Sequence, residues 1–271
     1  MARLEKLDKL LVTRRLAESR TIAKEYIESG RVFVDGIQIL KPASQADSSV
    51  SIKVDMPQKQ WVSRGAYKLL KAFDAFSLNV DNKLCLDIGA STGGFTEVLL
   101  SKGAGHVFAV DVGYGQLAWK LRTDEHVTVM ERTNARFLTL EMFNGNKSDV
   151  IVSDASFISL KLLLKPLEVL LSGSGSMVLL LKPQFEVAKE HIGNGVVTDP
   201  ALHVSVIDDM LHFIASETNL ETIGVTYSPI RGPEGNIEFL LWLARKENIL
   251  YERKLPLTDE LVSEAHLSTL H

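Results

Sequence analysis

LCLDIGASTGGFTEVLL, residues 84–100, runs from a short apolar segment through Asp87 and three glycines into an apolar helical pattern. Read outward from Gly89, it is a strand, a glycine turn and a helix start, the usual cradle for a nucleotide-like ligand. Its details argue against a dinucleotide. A strict G-x-G-x-x-G places glycine where backbone approaches a pyrophosphate, and Ser91 stands there. Asp87, at the strand end, sets a negative charge beside the turn, which repels phosphate. A cationic ligand without phosphates fits better, and S-adenosylmethionine is such a ligand.

Beyond this stretch, strand and helix patterns alternate. Strands are predicted at 83–88, 106–111, 126–131, 149–153, 176–182, 222–228 and 236–244. Helices are predicted at 65–77, 94–102, 114–121, 159–171 and 200–216. This alternation gives an α/β fold, a doubly wound sheet with helices on both faces. The last two strands are joined by a short connection holding Gly232, Pro233 and Gly235, too short for a crossover helix. They should pair as an antiparallel hairpin. A mostly parallel seven-stranded sheet with one antiparallel strand near its edge is the Rossmann-like arrangement of class I methyltransferases.

The residues before this domain read as a small α+β module over 1–55. Two short helices fall at 5–14 and 19–29, with Ser19 as N-cap and Gly30 as C-cap. RVFVDGIQI then alternates around an Asp35-Gly36 turn, and VSIKV supplies a further strand. Residues 56–64 read as a polar linker, 65–247 as the sheet domain and 248–271 as a tail holding a short surface helix without an evident task. The net charge of −4 is uneven: residues 1–60 carry +3 and the remainder −7. A basic module on an acidic domain points to a polyanion contact beginning at the N-terminus. Arg14, Arg15 and Arg20 form a basic corner at a helix start, suited either to phosphate or to plain solvation.

Several classes are excluded by composition. The single cysteine, Cys85, rules out a disulfide framework and a cysteine-based zinc site, and reads as a buried structural thiol. His191 and His203 have no visible metal-ligand partners, so no metal is expected. No apolar run approaches the roughly 18 residues of a membrane span. MARLEKLDKLL carries acids and lacks a continuous apolar core, so it is not a secretory signal. A cytoplasmic protein is expected.

Four charges sit awkwardly in apolar segments. Asp154 ends the fourth strand in VIVSDASF, Lys182 ends the fifth in MVLLLKPQFE, and Glu238 lies in GNIEFLLWL. Lys68 sits in SRGAYKLL on the helix before the sheet. Such charges are costly to bury unless partnered, and the four would neutralise one another at one face. Unrelated surface pairs are the alternative. Asp111, ending the second strand, is placed to accept hydrogen bonds from ribose hydroxyls.

SRGAYKL, LDIGASTGGFTE, VDVGYGQLAWKLR, SDASFISL, LLLKPQFE and GNIEFL together resemble TlyA-type proteins, also labelled haemolysin A-like, which belong with FtsJ-type ribosomal RNA methyltransferases. The N-terminal module is similar to an S4 RNA-binding domain. The resemblance covers nearly the whole chain, with its motifs in order. It implies S-adenosylmethionine-dependent methylation of a ribose 2′-hydroxyl, of cytidine, in small-subunit RNA, large-subunit RNA or both. Its Lys-Asp-Lys-Glu tetrad falls on Lys68, Asp154, Lys182 and Glu238. In that scheme Lys182, its pKa lowered by desolvation and by nearby Lys68, takes the hydroxyl proton or stabilises the alkoxide. Asp154 orients Lys182 and the methyl donor; Glu238 orients Lys68 or the ribose. S4 modules often carry arginine at the position of Lys6 and glycine near Arg15, and this chain departs at both.

The cofactor-binding set comprises Asp87, Gly89, Ser91, Gly93, Gly94, Phe95, Asp111, Asn134 and Ala135. Phe95 serves either this site or helix packing. A valine at Gly93 should block the cofactor without unfolding the protein. Arg14, Arg15, Arg20, Lys41, Arg64, Arg136 and Lys189 are the candidates for RNA phosphate. Gln184 to Pro200 reads as a lid that orders on RNA, whether ribosomal RNA alone or a ribosomal subunit. A membrane-active haemolysin would need an amphipathic or spanning segment, and none is visible. A non-catalytic RNA-binding assembly factor would not need the tetrad.

Overall fold

The computed structural model describes residues 4–17, 19–47, 49–55, 61–247, 252–253 and 255–268, except the side chain of Lys189. Most of the expected linker therefore lies outside the described residues. The chain divides into two units, 1–60 and 61–271.

The first unit contains β1 (Leu4–Lys6), α1 (Leu7–Thr13), α2 (Arg20–Glu28), β2 (Val32–Val34), β3 (Ile37–Ile39), β4 (Gln45–Asp47) and β5 (Ile52–Val54). Ser19 caps α2, its Oγ accepting from the Ile22 N–H. Asp35 and Gly36 both have positive φ, as a two-residue hairpin turn with right-handed strand twist requires. They join β2 to β3, and β5 pairs with the other edge of β2. The first helix begins at Leu7 rather than at residue 5. Leu4–Lys6 instead pairs with Gln45–Asp47, and three residues are too few to show a period. Leu7, Leu10, Leu11, Ala23, Ile27 and Val32 form the core.

The second unit contains α3 (Ala66–Ala75), β6 (Leu84–Ile88), α4 (Gly94–Ser101), β7 (His106–Val110), α5 (Trp119–Arg122), β8 (Val127–Met130), β9 (Ser148–Ser153), α6 (Lys161–Leu170), β10 (Leu171–Leu181), α7 (Pro200–Glu217), β11 (Leu220–Tyr227), β12 (Phe239–Arg245) and α8 (Thr258–Ser268). The sheet order is β11-β12-β10-β9-β6-β7-β8. β10, β9, β6, β7 and β8 are mutually parallel; β12 runs antiparallel to both of its neighbours. The near-continuous apolar runs of β9, β10 and β12 follow from burial on both faces. Leu163, Leu164, Ile207 and Met210 of α6 and α7 cover one face. Leu69, Ala72, Val98 and Leu99 of α3 and α4 cover the other.

Two expectations are corrected here. The helix expected at 114–121 is only the single turn α5, because the glycine-punctuated segment before it follows an irregular path. The C-terminal helix is not a free surface element: Leu261, Val262 and Ala265 are buried against α7 and β11 as part of the main core. Polar residues dominate its sequence, which hides a narrow apolar stripe.

Candidate active site

The glycine turn after β6 is shaped by close approaches. Gly89 has φ +77°, and a Cβ there would come within 2.9 Å of the Ala155 Cα. A Cβ on Gly94 would meet the Ala66 backbone nitrogen at 3.0 Å, so this glycine lets residues 63–66 lie against the start of α4. Ser91 adopts a left-handed conformation, φ +48°. Its N–H donates to Asp111 Oδ2 at 2.7 Å, and the Gly113 N–H donates to Oδ1 at 2.7 Å. Asp111 thus ties the turn to the loop after β7.

A cavity of about 410 Å³ opens beside the turn. Gly89, Ala90, Ser91, Thr92, Gly94 and Phe95 form one wall, Lys68 and Asp154 another, and Ile230, Arg231 and Pro233 a third; Ser63, Arg64 and Gly65 complete it. Phe95 packs in the core and also lines the cavity.

Other members of the expected cofactor set lie elsewhere. Asp87 is fully buried beneath the turn, with its Oδ2 accepting from Thr96 Oγ at 2.6 Å. Burial pushes its carboxyl up to about 7, and the charge inferred beside the turn is instead sealed beneath it. Gly93, at φ +98°, faces Leu121 and Leu117, where a Cβ would lie 2.2 Å and 2.9 Å from their Cδ1 atoms. Asn134 caps a short 3-10 turn by accepting from the Arg136 N–H. Ala135 belongs to the core, and neither it nor Asn134 lines the cavity.

The structure does bring the four awkward charges together. Lys68 Nζ lies 2.7 Å from Glu238 Oε2 and 3.1 Å from Asp154 Oδ2. Lys182 Nζ lies 2.7 Å from Asp154 Oδ1 and donates to the Asp154 carbonyl and to Ser156 Oγ, at 3.1 Å and 2.7 Å. An ammonium has three N–H bonds, and Lys182 thereby has three acceptors. The Asp154 carboxylate lies between the two lysines, so Lys182 does not face Lys68 as a bare like charge. Burial disfavours the charged form of Lys68, yet Asp154 and Glu238 outweigh it and raise its pKa. Glu238 is fully buried, and that burial raises its carboxyl despite Lys68 and Lys182. Lys68 and Asp154 line the cavity, whereas Lys182 and Glu238 stand behind them.

The RNA candidates are dispersed over both units. In the first, Arg20 is paired by Nη2 and Nε with the buried carboxylate of Asp8, at 2.7 Å and 3.1 Å. Arg14 donates to the Val50 carbonyl at 2.7 Å. Arg15 is exposed at φ +59°, a conformation that favours glycine, which accounts physically for the glycine that S4 modules often carry near this point. Lys41 is exposed. In the second unit Arg64 lines the cavity and Arg136 stacks over the exposed ring of Phe137. The Lys189 side chain lies outside the described residues. The expected lid is tied down near its end: Asn236 accepts from the Val197 N–H and donates to the Gly195 carbonyl.

Ser156, Arg231 and Phe157 were missed. Ser156 stands two residues beyond Asp154, as a strand-end polar partner would. Arg231 occurs in a Gly/Pro connection that reads only as a turn. Phe157, 90% exposed at φ +64°, meets Phe185 at a tilt with ring centroids 5.5 Å apart, in a sequence that looks like ordinary helix lead-in.

A class I sheet with a lysine–carboxylate network at its strand ends defines a methyltransferase, and the chain belongs to the FtsJ-like methyltransferase family, which it matches over residues 61–245. Residues 5–51 match the S4 domain. The chain is 49% identical over 245 residues, 90% of its length and 91% of the relative's, to the 16S/23S rRNA (cytidine-2'-O)-methyltransferase TlyA of Mycobacterium tuberculosis. It is 39% identical over 236 residues, 87% of its length and 98% of the relative's, to the protein named Hemolysin A in Brachyspira hyodysenteriae. A solved chain from Streptococcus thermophilus, 38% identical, superposes with a TM-score of 0.73, covering 99% of this chain and 98% of that one. Among the described residues no helix is long and apolar enough to cross a membrane.

Proposed function

We propose that this chain methylates a ribose 2′-hydroxyl, that of a cytidine, in ribosomal RNA, with S-adenosylmethionine as methyl donor. The observation that carries the reading is the Lys68–Asp154–Lys182–Glu238 network, buried behind a cavity that also touches the glycine turn. The relatives' names and the S4 match support RNA as substrate.

The residues present fit the cofactor. The open space abuts the glycine turn, and Asp154 sets a carboxylate in its wall, which suits a cationic ligand. Gly89, Ser91, Gly94 and Phe95 would hold it, with Asp111 on its ribose. When bound, it supplies a methyl group on a sulfonium centre, already a good electrophile. The chain's task is therefore to align and deprotonate a poor nucleophile. Lys182, anchored by Asp154 and Ser156, would release one of its three acceptors to donate to the oxygen as its negative charge develops, or first lose a proton to solvent and then take the hydroxyl's. Asp154, which lines the cavity, holds Lys182 directly behind it. Glu238 holds Lys68, which in turn pairs with Asp154.

The test incubates the protein with labelled S-adenosylmethionine and ribosomal subunits from cells lacking this chain, then maps the label. Label on a cytidine 2′-oxygen, absent with Lys182→Ala, is the expected result. Cofactor binding without label on either subunit would overturn the substrate assignment.

A further inference from the structure

The third wall of the cavity holds a cation that the tetrad does not use. Arg231 comes from the connection between β11 and β12, a tight loop closed by Gly232 N–H to Asn236 carbonyl and Gly235 N–H to Gly232 carbonyl bonds, both 2.9 Å. Its Nη1 donates to the Gly235 carbonyl at 3.0 Å, which fixes the side chain against its own loop. Among the described residues no carboxylate pairs with it, and its Nε is buried without a hydrogen-bond partner. Arg231 lines the cavity, so a ligand oxyanion there would meet a guanidinium that no carboxylate among the described residues neutralises.

The sheet order says which ligand. β12 is separated from β6 by β10 and β9, three strand spacings or roughly 14 Å. The glycine turn stands at the end of β6, Asp154 follows β9, Lys182 follows β10, and Glu238 precedes β12. Arg231 thus lies beyond the reacting network, on the side away from the glycine turn. Gly232 sits directly against Glu238, since a Cβ there would meet Oε1 at 2.7 Å. The loop that carries Arg231 is therefore in register with the tetrad.

We propose that Arg231 is a substrate-positioning residue that grips a phosphate of the RNA strand next to the target ribose, presenting the 2′-oxygen to Asp154 and Lys182. This rests on the proposed reaction only for the identity of that ribose; the phosphate contact stands on the geometry. Arg64, lining the same cavity, gives the groove a second positive charge. The rival source of an oxyanion is the cofactor's own carboxylate.

The test uses the full chain and purified ribosomal subunits, with binding followed across a salt series and no turnover required. Arg231→Gln should weaken subunit binding about tenfold or more, as expected for losing a charge-assisted hydrogen bond, and should lower the salt slope by about one. Arg231→Lys should retain the slope. S-adenosylmethionine affinity by calorimetry should stay unchanged in both. An unchanged salt slope in Arg231→Gln, or a loss confined to cofactor affinity, would overturn the proposal. Label mapping with the unaltered chain separately reports whether the methylation reading holds.

Discussion

The turn after β6 and the cluster at the ends of β9, β10 and β12 both sink charged side chains into the protein, with opposite consequences. Around the turn the charges hold elements together. Asp87 meets Thr96 and stays sealed; Glu97 accepts from the Val62 N–H at 2.8 Å and pairs with Lys120 at 2.8 Å, outside the cavity. At the cluster, the network runs from fully buried Glu238 through Lys68 to Asp154 at the cavity wall, with Lys182 branching from Asp154 behind it. On the proposed reading, a buried charge serves chemistry where its network reaches the cavity, and architecture where it does not.

The largest expected contrast is kinetic. Lys182→Ala should lower turnover by about 10²–10⁴-fold, roughly 3–5 kcal/mol of transition-state stabilisation, while cofactor affinity by calorimetry holds. Thr96→Val, which removes the hydroxyl donor to Asp87, should change stability far more than turnover. An equal loss of turnover in both variants would erase the distinction between the two regions.

Gly93→Val tests the turn as architecture. The sequence alone points to a blocked cofactor in a folded protein. The structure instead sets the new side chain at a left-handed φ against Leu117 and Leu121. Conformational strain and overpacking together should destabilise by about 3 kcal/mol or more. A denaturant midpoint equal to the parent's would show that this packing yields.

Asp87 makes a pH prediction. Its folded pKa is raised to about 7 from an ordinary 3.8 by burial. The stability it contributes is therefore fully present below pH 4 and is lost as pH rises toward 7. His203 acts in the other direction: burial, with His266 beside it, lowers it to about 4, so its contribution is present above pH 6.5 and is lost as pH falls. Melting temperatures from pH 4 to 8 should show Asp87→Asn free of the upward-pH loss that the parent carries. Parallel curves would mean that Asp87 is not sealed.

What the sequence disclosed followed the same division. The glycine turn, the strand order's antiparallel hairpin and the tetrad were legible because each breaks a local pattern: glycines in an apolar run, or a charge in a buried strand. The uses of Asp87, Gly93 and Ala135 were not, because a strand-end carboxylate or a small residue reads alike whether it faces a ligand or a neighbouring helix. Arg231 was hidden for a different reason. Its loop scans as turn chemistry, and only the fold brings the next residue, Gly232, beside Glu238.

The first unit supplies an intermediate case, with the smallest expected effect. Asp8 is buried, while its partner Arg20 is 56% exposed. Asp8 takes the Nε and one Nη of a guanidinium that has further N–H donors free to turn outward. The pair is neither sealed like Asp87 nor open like Asp154: a buried acid aims an exposed cation. Screening limits its worth to stability, so Arg20→Ala should cost about 1 kcal/mol or less. If the aimed guanidinium meets phosphate, that variant should still lower the salt slope of subunit binding by about one. Asp8→Asn, which keeps the cation but loosens its aim, should weaken binding by less. The double variant should bind no more weakly than Arg20→Ala alone, because the two residues act as a single unit. Additive losses in that cycle would separate Asp8 from RNA binding and leave it an architectural acid like Asp87.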